Sequence, residues 1–423
     1  MAASDEHIAG AAIGAGVRAF YDEHPYPPPV TDLTGYARTW DDRRRRVEAH
    51  LLWPGEPYRD DRTILIAGCG TSQAAKHALR WPRARVTGID FSQSSIDATA
   101  KLKRKHSIHN LELQQLSIEL VGELGRSFDH IVCTGVLHHL PDPATGLRAL
   151  ADALQPDGAL QLMLYAPYGR TGIYMLQDYC RRLGIGTGVA DLRDLAESLN
   201  ALPPDHPLVP LLGKVPDFRT PAGLADALLN PQDRAYSVPQ VFELLRSADL
   251  EFARWANQAP YLPTCGAMVR SPHRPRIMRL PAEERYAALE LFRGSMIRHS
   301  LVAYRRDRKR DRQVVFEGES WLDYVPIRLP RTIMVEERLP PNAAAVLINQ
   351  GHTFTDIYFP IEAPQREIFE RIDGVKAIGD IATNEAERQT ARILFEQLWH
   401  YDQVVFDTSA LRAARARRSS RGM

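Results

Sequence analysis

The chain of 423 residues has only four cysteines, at 69, 133, 180 and 265, and the intervals of 64, 47 and 85 residues contain no CxxC pair. That spacing excludes a dense disulfide framework and argues against a structural zinc site. Reduced thiols are expected, with Cys69 and Cys133 serving as small apolar residues in strand-like runs. No stretch reaches the 18 or more apolar residues of a membrane span, and the start Ala9 to Gly16 lacks the basic segment and apolar core of a secretory signal. An excess of one charge is missing too. Lys plus Arg is 53 against 52 for Asp plus Glu, a net of +1, so no global field draws the molecule to nucleic acid or an anionic surface. These absences predict a cytoplasmic protein without membrane association.

What is present suits a globular chain. Hydrophobic residues make up 44% and charged residues 25%, which excludes a disordered or fibrous protein. At about 100 to 200 residues per domain, this length predicts two or three domains. Residues 1–60 read as a helical arm broken by Tyr26-Pro27-Pro28-Pro29, extended because proline fixes φ and restricts its predecessor. From Thr63 to Leu164 short apolar runs alternate with helix-length polar segments, the pattern of βα units around a parallel sheet. Strands are predicted at Ile64 to Ala67, Arg85 to Asp90, Leu111 to Gln115, His130 to Thr134 and Ala159 to Tyr165. Residues 168–235 read as a helical insertion with proline turns. A helix at Val238 to Ala248 and strands at Leu250 to Asn257 and Met296 to Arg305 fit the far end of the same sheet. The fold class is therefore α/β: a Rossmann-like, seven-stranded, mostly parallel sheet over 61–305 with a helical cap.

Arg305 to Arg312 holds six basic and two acidic residues and reads as part of a solvated connector at 306–320. Residues 321–410 form short strands, then helices, then a closing strand, a small α+β domain. Leu411 to Met423 holds five arginines among Ala, Ser and Gly and is expected to be disordered.

Ile64 to Ala67 runs into Gly68-Cys69-Gly70 and then a helix start. Glycine permits positive φ and close approach of a ligand to the backbone, and a helix N-terminus favours negative charge. Any strand-to-helix turn can use such a pair. The second strand, however, ends in Asp90, about 20 residues on, from where a carboxylate can accept both ribose hydroxyls. The pairing leaves open a dinucleotide or an adenosyl nucleoside. Gln73 and Ala74 stand where a third glycine would fall, which weakens the case for a pyrophosphate cradle.

With Ala67 to Thr71, Asp90-Phe91-Ser92, Val132 to Asp142 and Leu154 to Gly158 in this order, the sequence resembles the class I S-adenosylmethionine-dependent methyltransferases. The likeness implies S-adenosylmethionine as cofactor. It implies that Gly68, Cys69 and Gly70 face its methionine part, that Asp90 holds the ribose and Phe91 packs on the adenine, that Ser117 and Ile118 frame the adenine edge, and that Cys133 and Thr134 line the floor. Ser117 departs from the family, where an Asp is usual. Phe20 to Pro27 resembles the arm of a bacterial branch that closes over the cofactor and buries Tyr21.

Methyl transfer is an in-line displacement that needs a general base only if the acceptor must lose a proton. His138 and His139, just after the fourth strand, are the candidates; a purely structural turn is the alternative. Adjacent histidines usually point apart, so no metal is expected. The acceptor pocket is predicted from Tyr165, Tyr168, Arg170, Tyr174, Tyr236 and Trp255, with Arg170 pairing either a substrate anion or an acidic neighbour. The expected activity is methyl transfer to a small molecule. The alternatives are a peptide- or protein-directed enzyme, whose C-terminal domain, with a faint likeness to leader-peptide-binding winged-helix modules, recruits the substrate, and a non-catalytic cofactor-binding regulator. Self-association through that domain is a further possibility. Nucleic acid is not expected as a partner, since the arginine tail supports only salt-sensitive, non-specific contact.

Overall fold

Parallel strands covered on both faces must be apolar along their length, and the first strand obeys this: Ile64, Leu65, Ile66 and Ala67 are all buried. The computed structural model describes residues 16–213, 215–307 and 314–409. The arginine-rich tail, residues 308–313 of the basic connector and the first residues of the arm lie outside them. The described residues fall into two compact units, one of 16–39, 61–252 and 293–307, the other of 40–60, 253–292 and 314–409.

Seven strands, β1 (Thr63–Ala67), β2 (Arg85–Asp90), β3 (Leu111–Gln115), β4 (Phe128–Thr134), β5 (Leu154–Tyr165), β6 (Leu250–Trp255) and β7 (Arg298–Arg305), form one sheet in the order β3-β2-β1-β4-β5-β7-β6; all of them belong to the first unit except residues 253–255 at the end of β6, which count with the second. The first five are mutually parallel, and β7 runs antiparallel to β5. This is the expected Rossmann-like sheet. Its first three strands lie where predicted to within a residue. β5 begins at Leu154, five residues before the expected Ala159, because the Pro-Asp-Gly run continues the strand. The register between β4 and β5 shifts between Phe128 and His130 to absorb it.

Helix ends are held as their sequences suggest. The Ser92 side chain accepts from the Ser95 amide at the start of Gln93–Lys105. Asp142 accepts from the Ala144 and Thr145 amides ahead of Pro143–Asp152, and Ser237 and Gln240 form a capping box before Val238–Ser247. The cap consists of helices Thr171–Leu183, Val189–Asn200, Val209–Leu212 and Pro221–Leu229. Ile173, Leu176, Leu195, Leu224 and Leu228 give it an apolar centre shared with Phe20 of the arm.

The second unit holds β8 (Val325–Arg328) paired antiparallel with β12 (Val404–Asp407), and an antiparallel sheet of β9 (Thr332–Val335), β10 (Ala345–Asn349) and β11 (Phe359–Ile361). Two sequence expectations change here. Residues 40–60 do not belong to an arm: helix Asp42–Leu52 packs on β12, and Val47 and Leu51 join the core around Phe395, Leu398 and Phe406. The connector also ends earlier than predicted, because Phe316 is buried against Trp321, Tyr324 and Phe406. Within this unit Asp402 receives Arg254 at 2.9 Å and the Gln258 and Ala259 amides.

Candidate active site

Register decides what gathers at the C-terminal edge of the sheet. Pairing of Ala67 with Ile89 brings Asp90 beside the turn that follows β1. Gly68 and Gly70 have φ of +70° and +52°, the region where a Cβ is strained. A Cβ on Gly68 would also collide with the Val136 side chain. The Gly68 and Cys69 amides both donate to the Ile89 carbonyl at 2.9 Å. The Gly70 amide donates to the Asp90 carboxylate at 2.8 Å, and Ser92 donates to its other oxygen at 3.0 Å. The three turn amides are thus paired within the protein, and the turn packs against Val136 on one side and the Tyr26–Pro27 segment on the other. Burial pushes the Asp90 carboxyl up to about 6, against the pull of the Ser92 and Gly70 amides.

The arm lies against this turn. Thr71 donates to the Pro27 carbonyl at 2.7 Å, Ser92 to Asp22 at 2.7 Å, and Ser94 to the Tyr21 carbonyl at 3.3 Å. The Tyr21 ring sits 6.2 Å from that of Phe91, edge-on. Its hydroxyl donates to Asp226 of the cap at 2.7 Å and accepts from Asn230 at 3.0 Å. Burial, with the Asp226 charge adding to it, holds the Tyr21 phenol well above its ordinary value.

Beyond β3, Ile118 is buried, and the Ser117 hydroxyl donates to the Glu119 carboxylate. Glu119 therefore brings an acid into the loop where Ser117 replaces the family's usual Asp. It was missed because it stands two positions later; the signal was the run Ser117-Ile118-Glu119 itself. Cys69 and Cys133 are fully buried, and burial raises both thiols, Cys133 to about 12. Neither is poised as a nucleophile. Thr134 closes β4 half-buried.

Gly135, at φ +77°, turns the chain into the short helix Leu137–His139. His138 and His139 do not diverge as expected. Their ring centroids are 4.2 Å apart, and His138 lies 4.0 Å from Tyr165. Nδ1 of His139 meets the Gln232 carbonyl at 2.6 Å; a carbonyl only accepts, so Nδ1 carries a proton, and in the neutral ring Nε2 then carries the lone pair. Burial holds His138 well below its ordinary value, hence neutral. Neither of its ring nitrogens has a hydrogen-bond partner among the described residues.

Arg170 stands in a cage of Tyr165 and Tyr174, its Cζ 3.5 Å from the first ring centre and 5.5 Å from the second. Its guanidinium donates to Tyr174 at 3.1 Å and to Asp233 at 2.9 Å. Burial opposes its charge, and Asp233 beside it overrides this and keeps it protonated. The arginine is therefore paired internally, one of the two outcomes left open by the sequence. Tyr236 is buried and its amide donates to the Tyr165 carbonyl at 2.8 Å, while Tyr168 is exposed. Trp255 is not among the residues gathered at this edge. It is fully buried and stacks on Tyr261 in the second unit, centroids 4.1 Å apart.

Residues 65–160 match the family model described as "Methyltransferase domain". The uncharacterized protein syc1184_c of Synechococcus is 30% identical over 290 residues, 66% of this chain and 69% of that protein. A ubiquinone biosynthesis O-methyltransferase of Neisseria meningitidis is 31% identical over 96 residues. That match spans 22% of this chain and only 40% of the relative's length. Among solved structures, PKMT2 from Rickettsia typhi in complex with AdoHcy superposes with a TM-score of 0.62 at 17% identity, covering 90% of this chain and 77% of that one. No helix among the described residues is long and apolar enough to cross a membrane. The chain belongs to the class I S-adenosylmethionine-dependent methyltransferases.

Proposed function

We propose that the first unit transfers the methyl group of S-adenosylmethionine to an oxygen of a small-molecule acceptor. The observation that carries this reading is the meeting, at one edge of one sheet, of the Asp90–Gly70 clasp and the His138–His139–Tyr165 cluster. The residues fit the cofactor. Two positive-φ glycines shape the turn after β1, and a buried carboxylate at the tip of β2 can accept hydrogen bonds from ribose hydroxyls. When bound, the cofactor supplies an electrophilic methyl group on a sulfonium.

In this reading Gly68, Cys69 and Gly70 pass along the methionine part. Asp90 takes the ribose hydroxyls. Phe91, Ser117 and Ile118 frame the adenine, Glu119 accepts from its exocyclic amine, and Cys133 and Thr134 form the floor. Tyr21 closes the site from above and excludes water, which strengthens every charge interaction inside. Tyr165, Tyr168, Tyr174 and Tyr236 wall the acceptor, with Arg170 as the cation that fixes the wall. His139 Nε2 presents a lone pair, which takes a proton or binds a cation, the two ways of activating a hydroxyl. The name of the Neisseria relative, an O-methyltransferase of ubiquinone biosynthesis, favours oxygen over nitrogen.

The test is formation of S-adenosylhomocysteine by the full-length protein with a panel of phenols, hydroxy acids and peptides. Turnover with small hydroxylated molecules supports the proposal. Turnover with peptides alone transfers it to the peptide-directed reading, and cofactor binding without turnover on any acceptor to a regulator.

A further inference from the structure

Three potential ligand atoms, one each from His138, His139 and Asp233, lie within 4.8 Å of one another. The two histidines come from the turn after β4. Asp233 comes from the segment between helix Pro221–Leu229 and helix Val238–Ser247, almost a hundred residues later. Long-range convergence of three such groups in a closed place is costly unless something pairs them. Among the described residues they are not fully paired: both ring nitrogens of His138 and one oxygen of Asp233, Oδ1, have no hydrogen-bond partner there. The Asp233 side chain is only 2% exposed, and His138 is wholly enclosed.

The groups behind the three are arranged as metal ligands require. A ligating histidine donates its second ring N–H to a carbonyl or carboxylate, and a ligating carboxylate is held by hydrogen bonds on its other oxygen. His139 Nδ1 is fixed by the Gln232 carbonyl at 2.6 Å, which frees Nε2. Oδ2 of Asp233 is held by Arg170 and by Gln177, each at 2.9 Å, which leaves Oδ1 free. The Arg234 amide donates to the His138 carbonyl at 3.2 Å, tying the Asp233 segment to the histidine turn.

We propose that His138, His139 and Asp233 bind a divalent transition-metal cation of the zinc or cobalt class, with at least one coordination position left open. Two neutral imidazoles and one carboxylate are a familiar donor set for such ions, and three protein ligands leave room for a water or a substrate oxygen. Ligand–metal distances near 2.0–2.2 Å place tetrahedral ligand atoms about 3.4 Å apart. Small side-chain rotations from the present spacing reach that. Arg170 on the far side of Asp233 makes the loaded pocket positive, which suits an acceptor arriving with an anionic oxygen. That last point rests on the methyl-transfer reading; the cation site does not.

The experiment is metal titration of the untagged, chelator-stripped full-length protein without S-adenosylmethionine. Co2+ binding is followed by its visible absorption and Zn2+ stoichiometry by elemental analysis. The expected result is one ion per chain, with His139→Gln and Asp233→Asn each weakening binding by about a hundredfold or more and Gln177→Leu by about tenfold. Circular dichroism and AdoHcy binding report whether each variant is folded. A wild-type protein that takes up no stoichiometric cation overturns the proposal, and so does uptake that both ligand variants leave unchanged. AdoHcy binding by the metal-free wild type separates failure of this site from failure of the methyltransferase reading.

Discussion

The Gly70 amide donates to the Asp90 carboxylate at 2.8 Å, so the turn that ends the first strand and the acid that ends the second are a single clasp. Neither half is a site alone. The glycine turn supplies the backbone conformation, the carboxylate supplies the acceptor, and the parallel register of β1 and β2 holds them together.

Asp90 makes two pH effects of opposite sign. Its carboxyl is raised by burial from 3.8 to about 6, so the folded protein holds this proton more tightly than the unfolded chain. Its contribution to stability is full below about 4, falls as the pH rises through about 6, and is flat above. Cofactor binding needs the ionised form and runs the other way. AdoHcy affinity measured by calorimetry from pH 8 to 5 is expected to be level above about 6 and to weaken by up to about tenfold per pH unit below it.

Gly68→Ala introduces a Cβ at φ +70° and against Val136. The backbone alone costs roughly 1–2 kcal/mol. Thermal melting is expected to fall by several degrees, with AdoHcy affinity reduced by at least about tenfold. Adding Val136→Ala relieves the collision but not the dihedral, so the double variant should recover only part of the melting temperature.

The central strands were legible because β1 and most of β4 are buried on both faces, and the clasp because the glycine pair and an acid about 20 residues on occur together at the ends of successive strands. Three things were not. Glu119 was hidden by expecting its acid at Ser117. The place of Asp233 beside the histidines depends on the path of a proline-interrupted cap. The second unit is assembled from residues 40–60, 253–292 and 314–409, and no local pattern announces that Val47 and Leu51 complete a core built around Phe395 and Phe406. Periodicity reports which face of an element is buried, and says nothing of what buries it.

Tyr21 joins arm and cap through a single hydroxyl shared by Asp226 and Asn230. Tyr21→Phe keeps the ring and removes the latch, leaving Asp226, itself 3% exposed, short of one donor. Such a loss costs about 1–3 kcal/mol. Stopped-flow measurement should show faster AdoHcy release, with an affinity loss of about five- to a hundredfold and little change in association rate.

Arg170 and Asp233 form an ion pair whose side chains are 7% and 2% exposed. Removing one partner strands the other charge, so Arg170→Met should destabilise the first unit by about 3–5 kcal/mol in urea denaturation. Arg170→Met combined with Asp233→Leu should recover most of that loss, because an apolar pair of similar volume replaces both charges. Equal destabilisation by the single and double variants would show that the pair does more than satisfy itself.

Calorimetric titration of AdoHcy into the full-length protein and its Asp90→Ala variant is the most direct test of the account. The prediction is one binding site per chain in the wild type and no measurable heat in the variant, with the variant's circular dichroism unchanged. Absence of binding by the wild type, above all if NADH binds in its place, or equal binding by both proteins, would contradict it.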